Sequence, residues 1–227
     1  LYAKAGVPAN ASAADVRALP FEKLVPLSAD YGPIQDGRVM TETPAQALAH
    51  GAAADVPLII GWNSGEDSVA FGGLLGPAEQ LRSLADRAAF TDRVFGAPAR
   101  WVAARAAGGK PAWLYHFSYV GGRFRPQMTT ATHAAEIQYV WEYWGRRTPM
   151  SVVTDEDRAM ATLMHGCWVA FAKTGTPTCG PTPWPAYTPA SDQLMEFGSP
   201  SGVRTNFRKS ELDAQQAAAL PGLRLAK

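Results

Sequence analysis

Two polar segments of the sequence contain residue types that can carry acid–base chemistry. Glu66 ends the segment Asn63-Ser64-Gly65-Glu66, and His133 ends the segment Thr130-Ala131-Thr132-His133. An imidazole can accept a proton from a hydroxyl group and return it to a leaving alcohol. A carboxylate bound to the other ring nitrogen fixes the tautomer and stabilises the imidazolium. Together these residue types are typical of nucleophilic catalysis by a serine.

Each of these segments comes after a predicted strand. Residues 56–62 form an apolar run of strand length, and residues 112–120 form a second run that is rich in aromatic side chains. Runs without polar alternation are typical of strands buried on both faces of a parallel sheet. Catalytic side chains gather at the C-terminal edge of such sheets. We therefore expect the Glu66 carboxylate to face an imidazole nitrogen of His133.

Helical patterns flank both strands. The clearest begins at Thr154, which forms a capping-box pattern with Asp157, and ends at Gly175. Further helices are predicted over residues 12–19, 20–27, 44–50, 77–89, 91–107 (bent near Pro98), 134–144 and 207–220, and a short strand over 194–197. Strands that alternate with helices predict an α/β fold with a mainly parallel sheet covered by helices.

The predicted sheet needs more strands than these residues supply. Two strands buried on both faces cannot form such a sheet by themselves. The chain also starts at Leu1 without an initiating Met or a signal-peptide pattern. We therefore expect residues 1–227 to be the C-terminal half of one larger domain, whose N-terminal half supplies the missing neighbours. The compartment stays open among secreted, periplasmic and cytoplasmic.

Charge and hydropathy exclude two classes of function. The 21 basic and 20 acidic residues leave a net charge of +1, which gives no long-range attraction to nucleic acid or anionic lipid. No apolar run approaches the roughly 20 residues that a membrane helix needs. We therefore expect neither a nucleic-acid partner nor a membrane span.

The two cysteines, Cys167 and Cys179, are too few for a disulfide framework or a four-ligand zinc site. They stand twelve residues apart across a predicted helix end. Spacing alone leaves two alternatives: one disulfide bridge, or a buried thiol and an unrelated loop thiol.

At several motifs the sequence resembles the type-B carboxylesterases, the family of cholinesterases, para-nitrobenzyl esterases and lipases. VPLIIGWNSGED resembles the strand that ends in the family's Gly-x-Asn-x-x-Glu-Gly pattern, and THAAEIQYVW resembles its His-x-x-Glu-[Leu/Ile]-x-Tyr-[Val/Leu]-Phe pattern. Other stretches follow in the family's order: GPIQDGRVM, DRVFGAPARWVA, LYHFSYV, CWVAFAKTGTPT with WPAY, and NFRKSELD. The resemblance covers the chain from about residue 5 to residue 213.

The resemblance implies the C-terminal portion of an α/β-hydrolase fold, with Glu66 as the triad acid and His133 as the base. It implies neither a cofactor nor a metal. Two substitutions depart from the pattern, because Asp67 replaces the usual Gly and adds a charge beside the acid, and Trp141 replaces Phe. The nucleophile elbow Gly-x-Ser-x-Gly occurs nowhere in the chain.

Other polar residues allow competing interpretations. His133 and Glu136 have a metal-ligand spacing, but a di-metal site needs further carboxylates, so we interpret Glu136 as a helix-start residue that satisfies backbone donors. Ser64 lacks the flanking glycines of a nucleophile and is interpreted as loop structure. Trp62, next to the acid loop, is the candidate for a pocket wall. His50, His116 and His165 show no functional pattern.

The sequence therefore predicts that the intact protein is a serine carboxylic-ester hydrolase working through an acyl-enzyme. Its predicted partners are a small or medium hydrophobic ester and the N-terminal half that carries the serine. The alternatives are a non-catalytic adhesion or scaffold protein with the same fold, and an inert or regulatory module complete in these 227 residues.

Overall fold

The computed structural model describes residues 2–25, 33–71, 83–106, 108–145 and 148–223. Within these ranges four strands form one sheet in the order β1-β2-β3-β4. The strands are β1 Leu58–Asn63, β2 Ala112–Phe117, β3 Gln193–Phe197 and β4 Gly202–Thr205. Pairs β1–β2 and β2–β3 are parallel, and β3–β4 is antiparallel. The prediction of an α/β fold with a mainly parallel sheet is confirmed.

β2 lies inside the sheet, whereas β1 lies at its edge. β2 pairs with β1 from Leu58↔Ala112 to Asn63↔Phe117, and five of its six residues are buried. In the described part of the chain β1 pairs only with β2, and its first four residues are half-buried. The prediction that both strands are buried on both faces is therefore confirmed for β2, whereas β1 is only partly buried.

Helices cover both faces of the sheet. The α-helices are α1 Ala13–Arg17, α2 Phe21–Leu24, α3 Pro44–Ala49, α4 Ser68–Phe71, α5 Leu84–Thr91, α6 Ala97–Ala106, α7 Ile137–Val140, α8 Asp155–Thr174 and α9 Lys209–Ala219. α6 and α9 pack on one large core cluster, α7 and α8 pack on a second, and a smaller third cluster lies around Phe90. No helix in the described ranges has the length and apolar character needed to cross a bilayer.

The long helix α8 follows its predicted boundaries. The Thr154 hydroxyl accepts from the Asp157 backbone, and the Asp157 carboxylate accepts from the Thr154 backbone, which completes the predicted capping box. Gly175 ends the helix in the left-handed conformation at φ +76°. The Asp157 carboxylate also accepts from the hydroxyls of Tyr119 and Tyr139. The start of α8 is therefore hydrogen-bonded to the segments before and after His133.

Two predicted helices are wrong in length, and backbone geometry explains both. Of residues 134–144 only α7 is helical, because Ala134 at φ +64° and Glu142 at φ +48° interrupt the helix on either side. The helix predicted over 91–107 is split into a π turn, Asp92–Gly96, and α6. Pro98 has no N–H group and cannot donate to the carbonyl four residues back. Just before it, the Ala97 amide donates to the Asp92 carbonyl five residues back, which is the hydrogen bond of a π turn.

Other boundaries differ in smaller ways. α5 begins after its cap Ser83, and the first part of the predicted helix 77–89 lies outside the described residues, as do residues 26, 27 and 107. The second predicted strand ends at Phe117 because the backbone amides of Ser118 and Tyr119 both donate to Phe197. Strand β4 was not predicted.

Cys167 and Cys179 form a disulfide bridge, which decides between the two alternatives that spacing left open. Both residues are buried, and their Cα atoms are 4.6 Å apart. The bridge joins α8 to the loop that carries Trp184. Trp184 packs on Tyr115, Trp168 and Phe197, so the bridge closes over the aromatic core beneath β2 and β3.

His116 in β2 makes the stability of the fold sensitive to acid. Its ring lies 5.0 Å from Trp62 and 4.6 Å from Phe207, and burial lowers the pKa of His116 to about 4. An unfolded histidine keeps its ordinary pKa of 6.5, so between pH 6.5 and 4 the unfolded chain binds the extra proton. Stability is therefore lost as the pH falls through this interval.

We expect His116→Phe in the full-length protein to reduce this acid sensitivity. The substitution removes the proton uptake of the unfolded chain, worth up to about 3 kcal/mol between pH 7 and pH 4. Urea denaturation at several pH values measures the difference between variant and parent. An identical pH dependence of unfolding free energy in both proteins would contradict the assignment.

Candidate active site

β1 delivers a buried acid to the C-terminal edge of the sheet. The chain leaves β1 at Asn63, turns through Ser64 and Gly65, and places Glu66 with only 4% of its surface exposed. One Glu66 oxygen, Oε1, accepts from the backbone amide of Asn63 at 2.8 Å. Burial raises the pKa of Glu66, while the hydrogen bonds from Asn63 and His133 oppose that shift.

The second Glu66 oxygen contacts the predicted base. Nδ1 of His133 lies 2.5 Å from Oε2 of Glu66, so the predicted contact between carboxylate and imidazole is confirmed. A carboxylate can only accept, so Nδ1 is the nitrogen that donates. Nε2 of His133 makes no hydrogen bond to any residue that the structure describes, and the side chain is 44% exposed. The second nitrogen can therefore accept a proton from another group.

Backbone and side-chain hydrogen bonds join the acid loop to the histidine loop. Gly65 and Thr132 form a parallel bridge, in which the Gly65 amide donates to the Ala131 carbonyl at 2.7 Å. The Ala131 amide donates to Ser64 Oγ at 2.8 Å, and Asn63 Nδ2 donates to the Thr132 carbonyl at 2.8 Å. The interpretation of Ser64 as loop structure is confirmed. The two loops therefore continue the sheet beyond its regular strands.

His133 is also held through its own backbone. Its amide donates to Ser68 Oγ at 2.9 Å, at the start of α4. The next residue, Ala134, has a left-handed backbone at φ +64°, a conformation that is costly for alanine and is found where the surroundings enforce it. Ser68 was missed in the sequence because no motif marks a hydroxyl that binds a backbone amide.

Glu136 interacts with the acid loop rather than with a helix start. Its Oε2 accepts from Asn63 Nδ2 at 2.5 Å, and its side chain does not cap α7. Glu136 does stand at the start of α7, as predicted, but its carboxylate satisfies no backbone donor of that helix and instead contacts Asn63, so this part of the interpretation was wrong. Within the described ranges, no three His, Cys, Asp or Glu side chains are grouped so that they could hold a metal ion.

The two other residues singled out beside the acid have structural partners. Asp67 is buried, and its Oδ2 lies 2.6 Å from Nε of Arg87 in α5, so its charge is paired. Trp62 is 1% exposed and packs against Phe207 in the core, and Gly96 leaves room for its ring. The pocket-wall hypothesis for Trp62 was wrong, since the side chain at this position of β1 points into the core that α6 and α9 cover.

An open cleft of about 550 Å³ lies beside the histidine. His133 forms part of its wall, and four aromatic residues are among the other residues that line it. They are Tyr119, Phe124, Tyr139 and Tyr143. The cleft can therefore accommodate an apolar group next to the imidazole.

One aromatic contact to the imidazole was not foreseen. The ring of Phe95, in the π turn, lies 5.6 Å from the ring of His133, centroid to centroid. Phe95 belongs to the quoted stretch DRVFGAPARWVA, but the sequence gives no sign that this residue reaches the histidine.

Comparison with known proteins agrees with this geometry. The sequence profile of the carboxylesterase family matches residues 77–215, more than half of the chain. The chain belongs to the carboxylesterase family. Among solved structures it is similar to a carboxylesterase of Geobacillus stearothermophilus, with a TM-score of 0.74 and 26% sequence identity over 95% of this chain and 53% of that one. The predicted α/β-hydrolase class of fold is confirmed.

Two bacterial esterases are also similar to this chain in sequence. The para-nitrobenzyl esterase of Bacillus subtilis is 29% identical over 183 residues, which cover 69% of this chain and 37% of that protein. The fumonisin B1 esterase of Sphingopyxis macrogoltabida is 30% identical over 209 residues, which cover 75% of this chain and 37% of that protein. The chain thus spans just over a third of the length of these two relatives.

The close approach of the two loops predicts that Gly65 tolerates no side chain. A Cβ at this position would lie 2.6 Å from Thr130 Oγ1 and 2.9 Å from the Ala131 carbonyl oxygen. We expect Gly65→Ala to lower the unfolding free energy of the full-length protein by about 1–3 kcal/mol, because a backbone atom must move.

Gly166→Ala is the matched control, since an added Cβ there meets nothing within 4 Å and Gly166 lies inside α8. That variant should unfold at the same or a higher urea concentration than the parent. Equal midpoints for Gly65→Ala and the parent would show that the two loops are not held as close together as described.

Proposed function

We propose that the intact protein is a serine carboxylic-ester hydrolase that works through an acyl-enzyme, with Glu66 as the acid and His133 as the base. The observation that carries the proposal is the 2.5 Å contact between Glu66 Oε2 and His133 Nδ1, which leaves Nε2 without a partner in the described structure. Membership of the carboxylesterase family supports the same chemistry. No cofactor or metal takes part in this proposal.

The proposed reaction runs in two stages. In the first, His133 Nε2 takes the proton of a serine hydroxyl as the serine oxygen bonds to the ester carbonyl carbon. The tetrahedral intermediate collapses, the bond to the alcohol oxygen breaks, and the imidazolium gives its proton to that oxygen. In the second stage water replaces the alcohol, and the same proton transfers release the carboxylic acid and the serine.

Glu66 contributes without reacting. Its ionised carboxylate accepts a hydrogen bond from the Nδ1–H group, which leaves the Nε2 lone pair for the serine. It also stabilises the imidazolium that each stage forms. Because Glu66 is buried, its interaction with the imidazolium is weakly screened by solvent. The Asn63 amide on Oε1 keeps the carboxylate oriented toward the ring.

We also propose that residues 1–227 are the C-terminal half of a single α/β-hydrolase domain and that the N-terminal half supplies the serine and the oxyanion donors. Three observations support this division. The sequence contains no Gly-x-Ser-x-Gly, β1 has one neighbour among the described strands, and the chain spans 37% of the length of two related esterases. The N-terminal half would place a strand beside β1 and the serine beside His133.

The proposed substrate is a carboxylic ester of small or medium size with a hydrophobic part. The aromatic and aliphatic residues that line part of the cleft beside His133 support an apolar group at this position. The names of the relatives also support an ester substrate, since one is a para-nitrobenzyl esterase and another a fumonisin B1 esterase.

Substitution of the acid and the base tests the proposal directly. In the full-length protein we expect His133→Ala to abolish hydrolysis of a para-nitrophenyl ester, because no other group takes the serine proton. Glu66→Gln should lower kcat by roughly 10³ to 10⁴, because the neutral amide neither fixes the tautomer nor stabilises the imidazolium.

His50→Ala is the matched control, because His50 also contacts a carboxylate, that of Glu42, but lies on the exposed surface. This variant should hydrolyse the ester at the parent rate. Circular dichroism would verify that all three variants are folded. Parent rates in both His133→Ala and Glu66→Gln would refute the proposed triad.

A further inference from the structure

The segment from α5 to α6 brings an aromatic ring against the proposed catalytic histidine. α5 leads into the π turn Asp92–Gly96, whose wider hydrogen-bond pattern accommodates one more residue than an α-helical turn. Phe95 lies in this turn and packs both on the core cluster that contains Trp62 and on the smaller cluster around Phe90. π turns are frequent at functional sites, and this one places the Phe95 ring beside His133.

Two ion pairs with buried carboxylates hold this segment in place. Within α5, Nε of Arg87 lies 2.6 Å from Oδ2 of Asp67, the residue after the acid. At the first residue of the π turn, Asp92 receives two hydrogen bonds from Arg208, Nε to Oδ1 at 2.9 Å and Nη2 to Oδ2 at 2.6 Å. Asp67 and Asp92 are 3% and 2% exposed, so both charges depend on these partners.

The imidazole of His133 has only one side-chain hydrogen bond to hold it. Nδ1 is hydrogen-bonded to Glu66, and Nε2 has no hydrogen-bond partner among the described residues. The His133 side chain is 44% exposed. The ring of Phe95 packs against it at 5.6 Å with an angle of 50° between the planes. Removal of Phe95 would let the imidazole swing toward the space that the phenyl ring occupies.

We propose that Phe95 is a positioning residue that keeps the His133 imidazole aligned between Glu66 and the nucleophile, and that the Asp67–Arg87 and Asp92–Arg208 pairs hold Phe95 there. This inference rests on the proposed function. Catalysis is sensitive to such alignment, since a displacement of about 1 Å can cost a hundredfold in rate. Asp67 stands where the family pattern has glycine, so the pair with Arg87 is a feature of this chain rather than of the motif.

The kinetics of Phe95 variants in the full-length protein test this role. With a para-nitrophenyl ester, we expect Phe95→Ala to lower kcat at least tenfold and to change KM less than threefold, because alignment matters in the reaction step. Phe95→Tyr keeps the ring and should restore most of kcat. Phe21→Ala, on an exposed phenylalanine in α2, is the matched control and should leave both constants unchanged.

A double-mutant cycle tests the link to the ion pair. Asp67→Gly should lower kcat, and the double variant Asp67→Gly/Phe95→Ala should lose little more than Phe95→Ala alone, because both changes act through one ring. Multiplicative losses would overturn the link between Asp67 and Phe95. Unchanged kcat in Phe95→Ala, or a raised KM with unchanged kcat, would overturn the positioning role, the latter by making Phe95 a wall of the substrate site.

The outcomes separate this inference from the proposed function. If the parent protein hydrolyses esters and His133→Ala does not, the proposed function stands, and the Phe95 variants decide the inference alone. If Phe95→Ala does not fold, Phe95→Val replaces it, since valine is smaller than the phenyl ring and leaves part of its space open, and its kcat is expected to fall at least tenfold. Parent kcat in folded Phe95→Val would overturn the proposal.

Discussion

The contact between the buried Glu66 carboxylate and the half-exposed His133 imidazole requires the support of the surrounding loops. A carboxylate removed from water is destabilised in its charged form, and burial indeed raises the pKa of Glu66. The Asn63 amide and the His133 Nδ1 proton offset part of that cost. The same burial strengthens the interaction with an imidazolium. The buried position therefore destabilises the charged form of Glu66 and also makes Glu66 effective at orienting the histidine.

The sheet brings the two residues together although 67 residues separate them in sequence. β1 and β2 run parallel and end in register at Asn63 and Phe117. The chain then returns past β1, where Thr132 pairs with Gly65 as a short extension of the sheet. Asn63 contributes on both sides, because its backbone binds Glu66 and its side chain binds the Thr132 carbonyl and Glu136. Rigid strand ends thus fix the distance between acid and base.

Patterns local in sequence predicted much of this arrangement. Apolar runs gave β1 and β2, the Thr154 capping pattern gave the start of α8, and strand-end placement gave the Glu66–His133 contact. The rest depends on contacts between residues distant in sequence. Arg208 binds Asp92 across 116 residues, and Glu136 binds Asn63 across 73. Nothing in the local sequence shows that Phe95 reaches His133 or that Trp62 is enclosed by α6 and α9, because tertiary packing decides both.

The tautomer of the His133 imidazole tests the central claim, the contact between Glu66 and Nδ1, most directly. In full-length protein labelled with ¹⁵N-histidine, nitrogen NMR at a pH where the ring is neutral reports which nitrogen carries the proton. We expect the proton on Nδ1 in the parent, and a shift of the proton toward Nε2 in Glu66→Gln, with the signal assigned by its loss in His133→Ala. A parent ring protonated at Nε2, unaffected by Glu66→Gln, would contradict the account.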